Sequence, residues 1–196
     1  VAVARKVFLE AGLSGARTKQ IAEAVGVAEG LLYRYFDSKE TLFEAAVLEP
    51  VERLISELAT MGERFATLDS AGRSSQSESF HREFLKAMIE IVPLLGVALY
   101  SDREFGKRFY RQRLQPLLDK FEEAMETSLA GCPQTQVEPG FLCAVALGTH
   151  SWFAQKATFG SGRIDTDAVA QQITELFVHI MGAPAVPRSR RKPAAG

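Results

Sequence analysis

Arg17, Thr18, Lys19, Tyr33, Arg34 and Lys39 bring four cations and two hydroxyls into the span 17–39. All six can donate hydrogen bonds, and a partner rich in phosphate oxygens suits such a set. No competing chemistry stands out elsewhere. His81, His150 and His179 lie far apart, and Cys132 and Cys143 have no recognisable metal-ligand spacing. Glu122 and Glu126 share a helix face, as ordinary surface carboxylates do. There is no glycine-rich phosphate loop and no nucleophile elbow. The expectation is a binding protein rather than an enzyme, with no metal and no cofactor.

The elements that must position these groups follow from the local pattern. Ile21, Ala22 and Val25 recur at helical spacing on a face expected to be buried. Thr18 is placed to cap that helix through its hydroxyl, and Gly26 to end it and turn the chain. Val27 plugs the gap before a second helix, expected over Ala28–Phe36, in which Leu31 and Leu32 begin the apolar face. Helix, glycine turn and second helix are the grammar of a helix-turn-helix, whose second helix can enter a DNA major groove.

Phe8, Gly12, Gly15, Thr18, Ile21, Ala22, Val25-Gly26-Val27, Gly30, Leu32-Tyr33-Arg34-Tyr35-Phe36, Lys39-Glu40 and Leu42-Phe43 together resemble the TetR family of bacterial transcriptional regulators. The resemblance covers residues 1 to 48. It implies that Ala28 to Tyr35 is the recognition helix, with Ala28, Glu29, Gly30, Leu31, Tyr33 and Arg34 toward the groove. Thr18, Lys19 and Lys39 are expected on phosphates, Tyr33 on a phosphate or as a surface-to-core aromatic, and Arg17 and Arg34 on either phosphate or base. Tyr35 and Phe36 are expected in the core. Members of the family commonly carry a hydroxyl residue where Ala28 stands and a small polar one where Leu31 stands. This chain departs from both, leaving thymine methyl contact as the direct readout those two can offer. Glu29 either accepts from a cytosine amino group or is a repelled rim charge. Gly30 costs a helix about 0.5–1 kcal/mol relative to Ala, which close approach to DNA or to a neighbouring helix would explain.

Charge argues against any broad attraction to nucleic acid. The chain of 196 residues has a net charge of -1, and residues 1–50 hold six basic and seven acidic side chains. A local cluster must therefore carry the binding. Two cysteines exclude a disulfide scaffold, and no apolar run reaches the eighteen residues of a membrane span. The opening residues, with Arg5, Lys6 and Glu10, read as a helix rather than a signal peptide. A soluble cytoplasmic protein without a membrane partner is expected.

Beyond the head, helical periodicity continues and nothing alternates long enough for a sheet. The fold expected is all-α, with an N-terminal three-helix head over 1–45, a larger C-terminal bundle over 46–182, and a disordered basic tail over 183–196, about nine helices in all. A long helix starting near Lys39, capped by Asp37 or Ser38, links the two parts and can bend at Pro50. Ser70 to Ser79 is expected as a loop, and Phe80 to Ile91 as a helix disturbed by Pro93 and Gly96. A short helix over Asp102–Tyr110, a longer one over Gln112–Leu129, a loop over Gly131–Gly140 and two last helices, Gly140–Phe159 and Thr166–Met181, complete the bundle.

By plan alone the bundle resembles the effector-binding part of such regulators. Phe65, Phe84, Met88, Phe105, Phe109, Tyr110, Met125, Trp152 and Phe153 are candidates to line a pocket or to be plain core. His81, His150 and Gln155 are candidates to orient a ligand. Leu142, Val145, Ala146 and Phe153 in one helix, with Val169, Ile173, Leu176, Phe177 and Ile180 in the next, form two stripes expected either to meet a second copy or to pack within one chain. The whole predicts a homodimer on a palindromic operator in double-stranded DNA, most simply a repressor released by a small apolar or aromatic effector. The alternative is a helical ligand-binding or adaptor protein that no longer reads DNA.

Overall fold

In the computed structural model the described residues are 1–65, 68–129 and 137–182. They form nine α-helices and one π-helical segment. In chain order these are α1 (Ala2–Gly15), α2 (Thr18–Val25), α3 (Glu29–Leu32), α4 (Lys39–Phe65), α5 (Ser70–Tyr100), α6 (Arg103–Phe109), the π segment (Tyr110–Leu114), α7 (Gln115–Leu129), α8 (Pro139–Phe159) and α9 (Thr166–Gly182). The all-helical plan is the expected one. The tail over 183–196 and the centre of the loop before α8 lie outside the described residues.

Helices α1 to α3 and the start of α4 make the head. Its core is Ala4, Phe8, Ile21, Ala22 and Phe43, with Phe8 meeting Phe43 edge to face at 5.1 Å. Gly12 takes φ +68 and kinks α1. Helix α4 starts on a reciprocal cap. The Thr41 amide donates to Ser38 Oγ at 3.1 Å, and the Ser38 amide donates to Thr41 Oγ1 at 2.9 Å. It then passes Pro50 as one helix, so residues 45 and 46 sit inside a single rigid element.

Helix α5 is the axis of the bundle and packs against α1, α4, α6, α8 and α9. It corrects two expectations. The serine-rich stretch 70–79 is helix, because Asp69 caps it by accepting from the Gly72 amide at 2.8 Å. The helix also continues through Pro93 to Tyr100. Pro93 deletes one backbone hydrogen bond and costs about 3 kcal/mol, offset by complete burial of Ile91, Leu94 and Ala98 around it. Gly106 lets α6 fold back on α5, since a Cβ there would lie 2.3 Å from the Leu99 carbonyl oxygen.

An aromatic seam joins head to bundle. Phe43 of α4 faces Phe105 of α6 at 6.5 Å, and Phe105 stacks on Phe109 at 6.2 Å. No helix among the described residues is long and apolar enough to cross a membrane.

Candidate nucleic-acid interface and effector cavity

Helix α2 ends as its sequence demands. Gly26 adopts φ +72, its amide donates to the Glu23 carbonyl at 3.1 Å, and Val27 donates to Ala22 at 3.0 Å. The start differs from expectation. Thr18 is the first helical residue, and Arg17, extended at φ -112, occupies the cap position without a side-chain bond. The freed Thr18 hydroxyl donates to Glu29 Oε1 at 2.5 Å and lies 3.1 Å from the Tyr33 hydroxyl. Three groups from both helices of the motif thus meet on its outer surface.

The second helix is shorter than its sequence suggested. Only Glu29–Leu32 is α-helical, a single turn, and Tyr33 to Tyr35 close it by turn hydrogen bonds onto Leu31 and Leu32. Phe36 packs against the core as expected, but Tyr35 does not. It is 74% exposed, because the chain leaves the helix before Tyr35 can turn inward. Val25 is likewise exposed, beyond the reach of the core that holds Ile21 and Ala22. Ala28, Gly30 and Arg34 are exposed, and Glu29 and Leu31 are half-buried. A Cβ on Gly30 would touch nothing in the chain, so crowding by a neighbouring helix does not explain this glycine.

The cations divide into two kinds. Arg17, Lys19 and Arg34 reach solvent, Lys19 with only a loose 3.9 Å pairing to Glu23. Lys39 is committed, its Nζ donating to the Ala16 carbonyl at 3.2 Å and tying α4 to the α1–α2 corner. Arg5, which the sequence did not single out, is the buried cation of the head. Its Nε donates to the Ala46 carbonyl at 2.8 Å, Nη1 to Glu90 at 2.7 Å, and Nη2 to Glu49. One guanidinium therefore bridges α1, α4 and α5. Glu44, also buried, meets Arg113 of the π segment at 3.6 Å.

In the bundle the candidate ligand residues part company. His81 and His150 meet, with His81 Nδ1 at 3.3 Å from His150 Nε2. His150 Nδ1 sits 2.6 Å from the Ala146 carbonyl and must donate to it, which makes its Nε2 an acceptor. The bridging proton is then on His81 Nδ1, and His81 Nε2 keeps a lone pair. Phe84 stacks on His150 at 4.1 Å, and Phe177 lies 5.0 Å from His81. Burial pushes both imidazoles toward the neutral form. His81 falls to about 3, lowered further by its neighbour. His150 falls to about 4, its bond to Ala146 offsetting part of the burial. Cys143 is a buried free thiol pushed up to about 12, mainly by burial.

His81 and Met125 line a small chamber of about 30 Å³ together with Leu58, Met61, Phe80 and Phe177. Phe84, Met88 and Phe109 are core, and Phe105 and Phe153 pack against that core. Three candidates face away from the chamber. Tyr110 edges a surface cleft beside α6, Gln155 another beside α8, and Trp152 is 66% exposed. The side chain of Phe65 lies outside the described residues. Among those residues no group of three potential metal ligands comes together.

The two stripes proposed for a second copy are corrected as well. Leu142 and Ala146 of α8 and Val169, Ile173 and Phe177 of α9 are buried within the chain, where α8 and α9 cover α5. Val145 and Phe153 are half-buried, Leu176 is exposed, and the side chain of Ile180 is not described. The outer face of α8 instead presents Phe141, Ala144, Gly148, Trp152 and Phe159, with Leu176 and Val178 exposed on α9.

A tight helix-turn-helix with exposed cations is carried on a rigid helix into an all-helical bundle, a geometry in which a short second helix can be set into a major groove. Residues 1–46 match the model of "Bacterial regulatory proteins, tetR family", and solved regulators of that family share the fold. Residues 1–46 thus carry the family's head, and over the rest of the chain the likeness to solved structures is one of fold. The head is 42% identical over 55 residues to the nucleoid occlusion factor SlmA of Haemophilus ducreyi, which covers 28% of this chain and 27% of that protein. The matched stretch is thus about a quarter of that relative's length. A longer match, 29% over 106 residues, links it to the transcriptional repressor AcnR of Corynebacterium diphtheriae and covers 54% of this chain and 51% of AcnR. The whole fold superposes on the transcriptional regulator FadR of Bacillus subtilis, solved in complex with stearoyl-CoA. The TM-score is 0.64 at 18% identity, over 91% of this chain and 95% of FadR.

Proposed function

We propose that this chain is a ligand-responsive transcriptional repressor that binds a palindromic operator as a homodimer and leaves it when a small, largely apolar effector enters the bundle. The observation that carries this reading is the outer surface of the motif. Arg17, Lys19 and Arg34 are exposed around the Thr18–Glu29–Tyr33 cluster, above a head core that holds their backbone fixed. Thr18, Lys19 and Tyr33 serve as phosphate contacts, with Arg17 and Arg34 beside them, while Ala28, Gly30 and Leu31 face the groove. Lys39 acts at one remove, holding the corner on which Arg17 stands. The open space over Gly30 is where a DNA edge fits.

One head offers too few contacts for useful specificity, and two-fold symmetry places a second head about 34–36 Å away along the duplex. The exposed aromatic face of α8, with the outer residues of α9, supports the dimer. Trp152, Phe141 and Phe159 bracket Ala144 and Gly148, small residues that permit close helix approach. Trp152→Glu is expected to convert dimer to monomer in sedimentation velocity and to abolish operator binding at nanomolar protein, with the helical circular dichroism unchanged. A Trp152→Glu variant that stays dimeric would rule this face out.

The effector half rests on the chamber at His81 and on the neighbouring fold that holds stearoyl-CoA, a ligand with a long apolar acyl chain. Ligand that prefers a conformer with misplaced heads lowers operator affinity by the factor it gains itself. Helix α4, the Phe43–Phe105 contact and the Arg5 bridge are the links through which the bundle can move the head.

The deciding experiment is selection of bound sequences from a random duplex pool at physiological salt. Recovery of an inverted repeat establishes the regulator. A folded, dimeric protein that enriches nothing establishes the adaptor reading instead.

A further inference from the structure

Beside the chamber, between α4 and α5, lies an open cleft of about 270 Å³. Met61 and Phe80 belong to the walls of both, so the cleft and the chamber are two compartments with one partition. Met61 is unbranched and can leave its place by rotation about its side-chain bonds. Phe80 is pinned against Phe84 at 5.8 Å and His81 at 5.6 Å. At about 30 Å³ the chamber holds at most a water or two. A larger guest in the cleft reaches the chamber when Met61 moves and joins the two.

Polar groups along this path include the hydroxyls of Ser56, Thr60 and Ser79 and one unpaired acceptor. Gln76 Oε1, on the cleft, is buried and has no hydrogen-bond partner among the described residues. An orphaned buried acceptor destabilises the chain, and a bound donor removes that cost. Glu57 and Glu83 edge the cleft, and Glu83 is partly neutralised by Lys86 at 2.8 Å. Among the described residues no Lys or Arg lines either compartment. At the inner end His81 has spent its only N–H on His150, and its Nε2 has no partner among the described residues. Ser128 Oγ is occupied with the Ala124 carbonyl at 2.9 Å.

We infer that the effector is an amphipathic amine, whose ammonium hydrogen-bonds Gln76 and faces Glu57 in the cleft while its apolar body passes Met61 toward His81. The inference deepens the effector half of the proposed function and rests on that half alone. An anionic head would meet Glu57 and the Gln76 oxygen, while Lys86 nearby already pairs with Glu83. A quaternary ammonium would keep the charge but leave the Gln76 acceptor unpaired.

The test is calorimetric titration of the purified full chain, without DNA, with 4-phenylbutylammonium, its trimethylammonium analogue and 4-phenylbutyrate at pH 7.5. The expected order is ammonium, then trimethylammonium, then carboxylate. The first and last should differ by about tenfold or more, the scale of one charge-assisted hydrogen bond. Gln76→Leu, at a partly exposed position, should erase most of the advantage of ammonium over trimethylammonium. Met61→Trp should abolish uptake of all three, and Met61→Ala, which widens the passage, should strengthen it if the tryptophan variant does not fold. Equal or tighter binding of the carboxylate overturns the assignment. So does ammonium binding that ignores both Gln76 and Met61, or no ammonium binding at millimolar concentration. Operator selection on the same unliganded protein is independent of these outcomes, so loss of the DNA reading and loss of the amine reading are separately visible.

Discussion

The head and the bundle solve opposite problems with polar groups. In the head they stand on the surface, close together in sequence, and apolar packing below them supplies the rigidity. In the bundle the two groups best placed to bind are fully inside, 69 residues apart in sequence, and hold each other in one tautomer. Surface chemistry is read from a short stretch of sequence, because helix spacing alone sets which groups are neighbours. Interior chemistry depends on which helices meet. The same contrast governs energetics, since exposed pairs are worth little and buried unpaired groups are costly.

The largest expected effect breaks the link between the two regions. Phe43 is fully buried and contacts both Phe8 of the head and Phe105 of the bundle. Phe43→Ala should cost about 3–5 kcal/mol in chemical denaturation. Hydrogen exchange should show α1 to α3 losing protection first, while α5 keeps its own. Equal loss in both regions would mean that they fold as one unit.

Acid should act on the bundle and spare the head. Both imidazoles have folded-state values below their ordinary 6.5, so the unfolded chain binds more protons as pH falls. Their stabilisation is complete above about pH 6.5 and is lost progressively toward pH 3 to 4. Between pH 6.5 and 5 each imidazole should contribute a loss of about 2 kcal/mol. The measurement is the difference in slope of denaturation free energy against pH between the native chain and His81→Phe, which should be shallower. Identical slopes would show that the pair is not held neutral.

Arg5→Met sharpens the comparison at smaller energy. Its partners Glu49 and Glu90 are half exposed and can rehydrate, so stability should change by only about 1 kcal/mol. The coupling should change more, with effector shifting operator affinity several-fold less than in the native chain. Unchanged coupling would remove the guanidinium from the communication path.

The smallest effect on the fold falls on the head's outer surface. Glu29 accepts from Thr18 where a phosphate oxygen is proposed to bind. Glu29→Gln should leave the melting temperature within a degree or so and tighten binding to random duplex several-fold, with a steeper dependence on salt. Weaker binding to the selected operator alone would instead make Glu29 a reader of cytosine.

Much of this was legible without the fold, and the failures have physical reasons. Val25-Gly26-Val27 announced its turn because only glycine takes that backbone at no cost. Ser38 and Asp102 marked helix starts correctly, since caps act within one turn. Propensity misled at Ser70–Ser79 and at Pro93, where one aspartate cap and the packing of α5 against its neighbours outweighed it. Tyr35 and the stripe through Leu142 and Phe177 failed for a related reason. Periodicity shows that a helix has an apolar face, and α8 has apolar residues on two.

By itself the sequence determined where the head lies, where its turn falls and which cations cluster there, because each depends on neighbours within a few residues. Tertiary structure alone decided that Arg5 joins three helices, that His81 meets His150, and that Trp152 rather than Leu142 faces outward. Those facts depend on which helix faces cover α5, and a helix carries no record in its own spacing of the partner that will bury it.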